Sequence, residues 1–197
     1  MAITFKYNKS ALYDLSRQLK AREQALPTLK SKEAALRLEV KREKQLAVKI
    51  QEAWNQKRQN MHLFSSLWVE FETDLVMLKE TYYETKTIAG VKIPVLHKLD
   101  FELQDISQFH KPDWFLDGIE FLKDLIKLEL EKDAALRATA ILEYARKKTT
   151  QKVNLYEKVQ MPEYAEAIRK VKRFLEDEEN LSKAAQKILK RSNEAKH

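Results

Sequence analysis

The chain has 197 residues, of which 34% are charged and 44% are apolar, and its formal net charge is +7. Two glycines and four prolines leave few places for tight turns, and such a composition is typical of long helices rather than of disorder. The absence of cysteine excludes disulfides and thiolate chemistry. Because the chain has no signal-peptide pattern and no run of 18 apolar residues, we expect a soluble protein without a membrane span.

The first predicted element is a long helix with a heptad repeat from Leu12 to Leu78. Alternating steps of three and four residues from Leu12 reach twenty positions, of which sixteen are apolar. A mean spacing of 3.5 residues keeps one stripe facing a partner in a left-handed coiled coil. At about 1.5 Å per residue the helix would be roughly 100 Å long, so we expect its partner to come from the rest of the chain.

A proline and four polar residues interrupt the apolar repeat of this first helix. We expect it to begin near Lys9 or Ser10, with Ser10 as the N-cap, and to bend at Pro27 without ending there. Between Trp54 and Phe71 the repeat is aromatic, which we interpret as bulky core packing. Four repeat positions are polar, and we interpret them as residues that fix the helix register: Arg22, Glu33, Glu43 and Lys57.

From about residue 81 the pattern predicts a β-hairpin. β-Branched and aromatic residues flank Gly90, and Pro94 would be tolerated in an edge strand. Residues 97–117 are predicted to form an irregular connector.

A second long helix is predicted to begin between Pro112 and Gly118 and to run to the C-terminus, with a bend at Pro162. Its expected apolar stripe comprises Phe115, Ile119, Leu122, Ile126, Leu136, Ala140, Leu142, Leu155, Val159, Ile168, Val171, Leu175, Leu181, Ala185, Ile188 and Leu189. The predicted fold is all-α, a long antiparallel two-helix coiled-coil hairpin with a small β-hairpin and irregular region at the bend. The predicted divisions are residues 1–80, 81–117 and 118–197.

The charge is unevenly distributed along the chain. Residues 1–60 carry a net +8, residues 61–130 a net −6 and residues 131–197 a net +5. In an antiparallel hairpin the end with both termini would be basic and the bend acidic, so the two ends would present opposite fields to partners.

Signals for catalysis are weak throughout. There is no glycine-rich phosphate loop, and the four histidines lack the spacing of metal ligands. The acidic run from Glu176 to Glu179 points around a whole helix, and we interpret it as a solvated face. We therefore predict no catalytic residue, cofactor or metal.

Three stretches resemble one protein family. Residues 152–162, KVNLYEKVQMP, are similar to the Val-Asn-Ala-Leu-Glu…Ile-Pro signature of the D subunit of V-type and archaeal-type rotary ATPases. Residues 88–94, IAGVKIP, resemble its Gly-Val-x-Val-Pro element, and Leu29-Lys30-Ser31-Lys32 its Leu-Lys-x-Lys step. The resembling positions of the first two stretches are Gly90, Val91, Pro94, Val153, Asn154, Glu157 and Pro162.

The resemblance implies a non-catalytic central rotor shaft that couples ATP hydrolysis or synthesis to ion translocation. The implied partners are the catalytic A and B subunits, the rotor F subunit and the funnel-shaped subunit of the membrane ring. No nucleic acid, small-molecule ligand or direct membrane insertion is implied, and the location would be cytoplasmic and peripheral to the membrane. Basic residues near the termini are hypothesised to face acidic loops of the surrounding hexamer: Lys9, Arg17, Arg22, Lys187, Lys190 and Arg191.

Two alternatives remain from the sequence. The basic arms are compatible with a nucleic-acid-binding helical protein, although basic and acidic residues are interspersed. The second alternative is a coiled-coil scaffold or a parallel homodimer. An intramolecular hairpin would place the two termini of the chain close together, whereas a parallel dimer would separate them.

Overall fold

The computed structural model describes residues 4–63, 76–103 and 114–194. The elements are helix α1 (Lys9–Leu63), strands β1 (Val76–Ile88) and β2 (Val91–Leu103), helix α2 (Trp114–Asn154), a π-helical turn (Leu155–Gln160) and helix α3 (Met161–Glu194). The fold is all-α with long helices and one small antiparallel sheet, which confirms the predicted fold class.

The chain divides into two compact units. The terminal unit comprises Met1–Lys32 and Lys148–His197, and the central unit comprises Glu33–Lys147. The predicted three-part division followed the order of elements along the chain and stays a prediction.

Helix α1 is capped by Asn8, not by Ser10 as we predicted. The Asn8 Oδ1 atom accepts a hydrogen bond from the Ala11 backbone N–H at 2.7 Å, and its carbonyl accepts one from Leu12 at 3.1 Å. An asparagine in this position satisfies an otherwise unpaired N–H of the first turn. The predicted start at Lys9 is confirmed.

Two predictions about the extent of the first helix have different outcomes. Helix α1 continues through Pro27, so the proline is not a helix end, as predicted. The expectation that the helical repeat extends to Leu78 is wrong, because Leu78 lies in strand β1. The predicted aromatic positions Phe64, Trp68 and Phe71 lie outside the described residues, as do residues 104–113 of the predicted connector. The prediction of irregular structure is wrong for the rest of the 97–117 range, because residues 97–103 continue strand β2 and residues 114–117 begin α2.

In the central unit α1 and α2 pack antiparallel. Lys44 Nζ donates a hydrogen bond to Glu143 Oε1 at 2.7 Å, and Lys57 pairs with Asp124. A later residue of α1 therefore pairs with an earlier residue of α2, which is the order of antiparallel helices. The seam between them buries Leu36, Val40, Ala138 and Leu142, with Leu142 fully inaccessible.

Strands β1 and β2 form a hairpin closed by a two-residue turn. Ile88 pairs with Val91, and both turn residues have positive φ, 48° at Ala89 and 76° at Gly90. Two positive φ values suit the right-handed twist of hairpin strands, which explains the glycine but leaves Ala89 strained. Pro94 lies in β2 opposite Thr85, in a two-stranded sheet where every strand is an edge.

The hairpin lies along the helices of the central unit. Near its turn Ile93 packs against the cluster around Leu36 and Leu142. At its base Val76 packs against Phe115 and Ile119. The lengths agree, since twelve steps of strand from Val76 to Ile88 and 23 steps of helix from Ile119 to Leu142 each span about 35–40 Å. The hairpin is therefore part of the central core and not only an excursion at the bend.

The apolar stripe predicted for the second helical segment was partly wrong. Leu142 is buried as predicted, but Leu136 is 51% exposed and Ala140 is also exposed, while Ala135 and Ala138 occupy the seam. Leu155 and Val159 are exposed as well. An apolar residue adjacent to the true seam satisfies a loose periodicity, so the sequence pattern alone did not separate the two faces.

The terminal unit also pairs helices antiparallel. Its buried cluster contains Leu15 of α1 with Tyr164, Ala167 and Val171 of α3. Phe5, before α1, packs against this cluster, and at the surface the Tyr7 ring lies 5.0 Å from the Phe174 ring.

The last part of α3 is exposed on all sides. Residues 176–193 are exposed at every position, including Leu181, Ile188 and Leu189, which we had predicted as stripe members. Leu181 is 73% exposed. Among the described helices there is no segment long and apolar enough to cross a bilayer.

Candidate functional site

The family-like stretch at residues 152–162 coincides with an irregular turn of helix. The backbone N–H of Met161 donates to the Tyr156 carbonyl, five residues back, which is the hydrogen bond of a π-helix. Pro162 follows directly and has no N–H to continue the regular pattern. The predicted bend at Pro162 stays a prediction, and the structure places this π-helical turn directly before the helix that contains the proline.

The π-helical turn shifts the heptad phase by one residue. Up to the end of the turn the inward positions are Thr149, Val153, Tyr156 and Gln160, and after it the buried positions are Tyr164, Ala167 and Val171, with Ile168 and Leu175 partly buried. The first set has steps of four, three and four, and Tyr164, Ile168, Val171 and Leu175 repeat those steps, but the step from Gln160 to Tyr164 is four where the repeat requires three. A π-turn accommodates one additional residue in an α-helix, which accounts for the shift.

Arg22 of α1 packs against this turn inside the terminal unit. Its Nε donates to Gln160 Oε1 at 2.7 Å, and its guanidinium carbon lies 4.4 Å from the Tyr164 ring centroid and 5.7 Å from that of Tyr156. A planar guanidinium can stack on aromatic rings while donating in its own plane, which a lysine ammonium cannot do. These contacts support the interpretation of Arg22 as a residue that fixes register.

Two further cross-helix hydrogen bonds flank Arg22. Tyr164 Oη donates to Gln18 Oε1 at 2.5 Å, and Lys30 Nζ donates to Glu157 Oε1 at 2.7 Å. We call the set of Gln18, Arg22, Lys30, Glu157, Gln160 and Tyr164 the polar layer. Its donors and acceptors match only in one alignment of the two helices, since sliding by a heptad of about 10 Å would break all of them.

The predicted hexamer-contact residues fall into two groups. Five of them are exposed on α1 or α3: Lys9, Arg17, Lys187, Lys190 and Arg191. Arg22 is half-buried and engaged in the polar layer. The structure therefore gives Arg22 contacts within the chain, and the assignment of all six residues as partner contacts stays a prediction.

The other predicted signature residues have identifiable structural roles. Gly90 supplies the positive φ of the hairpin turn, and Val91 packs against the central core. Val153 is buried, Glu157 pairs with Lys30, and Asn154 immediately precedes the π-turn and is exposed.

Ion pairs along α3 lower the pKa of two carboxyl groups. A hydrogen bond from Lys170 lowers the pKa of Glu166, and one from Lys183 lowers the pKa of Glu179, with a smaller contribution from Lys9. Both pairs have i, i+4 spacing with the acid first, the favourable orientation on a helix. The Glu166–Lys170 pair lies on the outer face of the part of α3 that packs on α1, and the Glu179–Lys183 pair lies in the exposed end of the helix.

The described residues offer no site for metal chemistry. Within ranges 4–63, 76–103 and 114–194 there is no group of three or more His, Asp or Glu side chains that could hold a metal ion. The organised features of the terminal unit are contacts between helices.

Sequence reasoning missed two features of this site, the π-helical turn and the inward position of Tyr156 and Tyr164. Two signals in the sequence could have indicated the π-helical turn. One is Pro162, and the other is that strict heptads from Thr149 would place the charged residues Glu163 and Lys170 in the seam. An apolar stripe chosen from residue type alone took Leu155 and Val159 instead.

A comparison with family models settles the relationship. The model that describes the D subunit of ATP synthase matches residues 11–191, which include both long helical segments and the hairpin. The chain belongs to the ATP synthase D-subunit family. The resemblance predicted from three short stretches is thereby confirmed.

Relatives of this family match over nearly the whole chain. The V-type ATP synthase D subunit of Borreliella burgdorferi is 30% identical over 191 residues, covering 95% of this chain and 94% of the relative. That of Chlamydia abortus is 26% identical over 206 residues, with 99% of each chain covered. The D subunit of Chlamydia muridarum is 28% identical over 182 residues and 90% of each chain.

Proposed function

We propose that this chain is the non-catalytic central-stalk subunit of a V-type rotary ATPase or ATP synthase. The observation that carries the proposal is the D-subunit family match over residues 11–191. In this role the chain couples nucleotide turnover in a hexamer of A and B subunits to ion translocation, and it contacts the rotor F subunit and the funnel-shaped subunit of the membrane ring. Its location is cytoplasmic and peripheral to the membrane.

Paired helices suit the transmission of torque. A single helix twists easily, whereas a packed pair resists twisting because every seam contact must shear. The polar layer strengthens the pair, since Arg22 and Lys30 each connect α1 to the opposite helical segment. This function needs no reactive group in the chain itself, because different contacts with successive catalytic subunits favour different conformations of each.

The exposed end of α3 is proposed to contact the surrounding subunits. Residues 181–193 combine exposed Leu181, Ile188 and Leu189 with four basic residues, Lys183, Lys187, Lys190 and Arg191. Ile188 and Leu189 follow Leu181 by seven and eight residues, so the three side chains form one apolar stripe. The surrounding subunits would cover this stripe. Lys9 and Arg17 add positive charge on α1, and individual exposed pairs contribute about 1 kcal/mol or less.

The alternatives have less support. A parallel homodimer needs a partner from another chain, whereas the cross-helix contacts of both units join two segments of this chain in antiparallel order. The family match also favours a component of an ATP synthase over a nucleic-acid-binding protein.

Co-purification tests assembly. The tagged full-length chain isolated from native membranes is expected to bring with it nucleotide-hydrolysing subunits in fixed ratio. Recovery without any such subunit would refute membership of the complex.

A light-triggered cross-link tests rotation. The chain contains no cysteine, so Leu189→Cys provides a unique attachment site for a photoreactive label within it. After illumination of the assembled complex, cross-linking to a surrounding subunit is expected to stop ATP hydrolysis in proportion to its yield. The control is the labelled complex kept dark, and hydrolysis that continues after complete cross-linking would contradict the rotor role.

A further inference from the structure

A basic groove of about 750 Å³ runs along α1 and α2 in the central unit. Five cationic side chains line it, and only two carboxylates do, those of Glu52 and Glu143. The cationic residues are Arg37, Lys41, Lys44, Lys49 and Arg146.

Three of these cations are not neutralised by an ion pair in the described part of the chain. Arg37 pairs with Glu33 at 2.8 Å, and Lys44 pairs with Glu143 at 2.7 Å. Lys41, Lys49 and Arg146 form no ion pair within 4 Å of a described carboxylate, and Arg146 is near enough to Glu143 to contribute to lowering its pKa, while that carboxylate already pairs with Lys44. The groove thus holds an excess of positive charge at the helix surface, which attracts a complementary anionic group.

The neighbouring groove of the central unit does not share this charge excess. The neighbouring groove of the central unit, with about 440 Å³, balances Lys57 and Lys127 against Asp124 and Glu131. The grooves therefore differ in charge although the same two helices form both of them. A general basicity of the helices does not explain the excess.

The groove also exposes an aliphatic side chain. Val48, in the last third of α1, is 57% exposed, and Val40 lines the same groove. Valine is a weak helix former, and at this position its side chain gains little burial within the chain. An apolar contact surrounded by cations is the arrangement that an amphipathic acidic segment covers.

We propose that this groove docks an acidic amphipathic helix of a partner protein. Lys41 and Lys49 are eight residues apart, about 12 Å along α1, so they match carboxylates seven or eight residues apart on one face of the partner. An aliphatic side chain between those carboxylates packs on Val48. Glu52 and Glu143 disfavour a phosphate backbone in the same groove, because its charges are continuous. The proposal goes beyond the rotor role and does not require rotation.

The occupant is identified by cross-linking in the assembled complex. A photoreactive amino acid replaces Val48 in one variant and Lys127, in the balanced groove, in the control. Cross-links from position 48 are expected within a protein segment that has acidic residues at the stated spacing. Cross-links to nucleic acid or lipid, to a neutral or basic segment, or no more than from position 127, would overturn the proposal.

Charge reversal then tests the chemistry. A synthetic peptide of the cross-linked segment is titrated against the full-length chain and against the triple variant Lys41→Glu, Lys49→Glu, Arg146→Glu. The triple variant is expected to bind the peptide about ten- to a hundredfold more weakly than the wild type. Binding of the peptide to the wild type is expected to weaken as the salt concentration rises. The control reverses three other exposed lysines, Lys86, Lys92 and Lys127, and is expected to change binding less than threefold.

Two outcomes would refute the docking site. One is equal affinity of the groove variant and the wild type while both retain the same helical circular dichroism. The other is tighter binding of a DNA duplex than of the peptide at physiological salt. Failure here leaves co-purification with ATP synthase subunits unchanged, so it is distinguishable from failure of the proposed function.

Discussion

Replacing Arg22 by alanine should destabilise the terminal unit more than any single exposed substitution on α1. The hydrogen bond from Nε to Gln160, at 2.7 Å, joins a charged donor to a half-buried acceptor, and such bonds contribute about 1.5–3 kcal/mol. Stacking on the Tyr164 ring at 4.4 Å adds about 1 kcal/mol. Because the two contacts are not additive and water partly replaces them, we expect a loss of about 2–3 kcal/mol.

The assay is urea unfolding followed by far-UV circular dichroism, with three companion variants. Arg17→Ala, exposed on the same helix, should change the free energy of unfolding by no more than about 0.5 kcal/mol. Arg22→Lys keeps the charge but loses the planar stack, so it should fall between the alanine variant and the wild type. A double-mutant cycle with Gln160→Ala isolates the hydrogen bond.

A register measurement separates a positioning role from simple stability. Spin labels at Lys20 and Arg169, both exposed in the terminal unit, should report one narrow distance in the wild type and a second population in Arg22→Ala. A slip of one heptad changes the offset by about 10 Å. If Arg22→Ala costs no more than Arg17→Ala and leaves one narrow distance, the polar layer does not fix the register.

Three further predictions concern the rest of the chain. Ala89→Asn should raise the free energy of unfolding by about 0.5–1 kcal/mol, because asparagine tolerates the positive φ of 48°, and thermal unfolding that shows no gain contradicts the strain. A hydrogen bond from Lys44 lowers the pKa of Glu143, so its stabilisation is present above the ordinary glutamate pKa and is lost as pH falls through the lowered value. In Lys44→Gln the free energy of unfolding should therefore fall less steeply as pH is lowered, which urea unfolding at a series of pH values measures. Deletion of Lys158, within the π-turn, should preserve helix pairing far better than deletion of Ala165 in α3, as judged by circular dichroism and melting.

The sequence predicted the long helices well because their seam is strongly periodic. Leu15, Leu36, Val40 and Ala47 were predicted as seam residues of α1, and all four are buried. The hairpin was also predictable, since Gly90 lies between two β-branched runs. In contrast, nothing in those runs indicated that Ile93 would reach the Leu142 cluster, because long-range packing depends on the lengths of both elements.

The candidate site was predicted as a stretch of sequence but not as a geometry. Val153, Glu157 and Pro162 were singled out by resemblance, and Arg22 by its interruption of the repeat. That these residues meet could not be derived locally, since Arg22 and Gln160 are 138 positions apart. The assignment of Ser10 as the N-cap failed for a simpler reason: Asn8, an equally good cap, lies two residues earlier.

The π-helical turn explains why one sequence carries both a regular seam and a charged C-terminal helix. In strict heptads from Thr149, the seam would next contain Tyr156, Glu163 and Lys170, so two charged residues would face the apolar side of α1 near Leu15. Desolvating those charges would cost several kcal/mol each unless they found partners. One additional residue in the turn advances the phase, so that Tyr164 and Val171 are buried instead, and Lys170 remains at the surface to pair with Glu166 at 2.8 Å. Arg22 then binds the turn at Gln160, the last inward residue before the shift, which is the position where an error of one residue would otherwise propagate along α3.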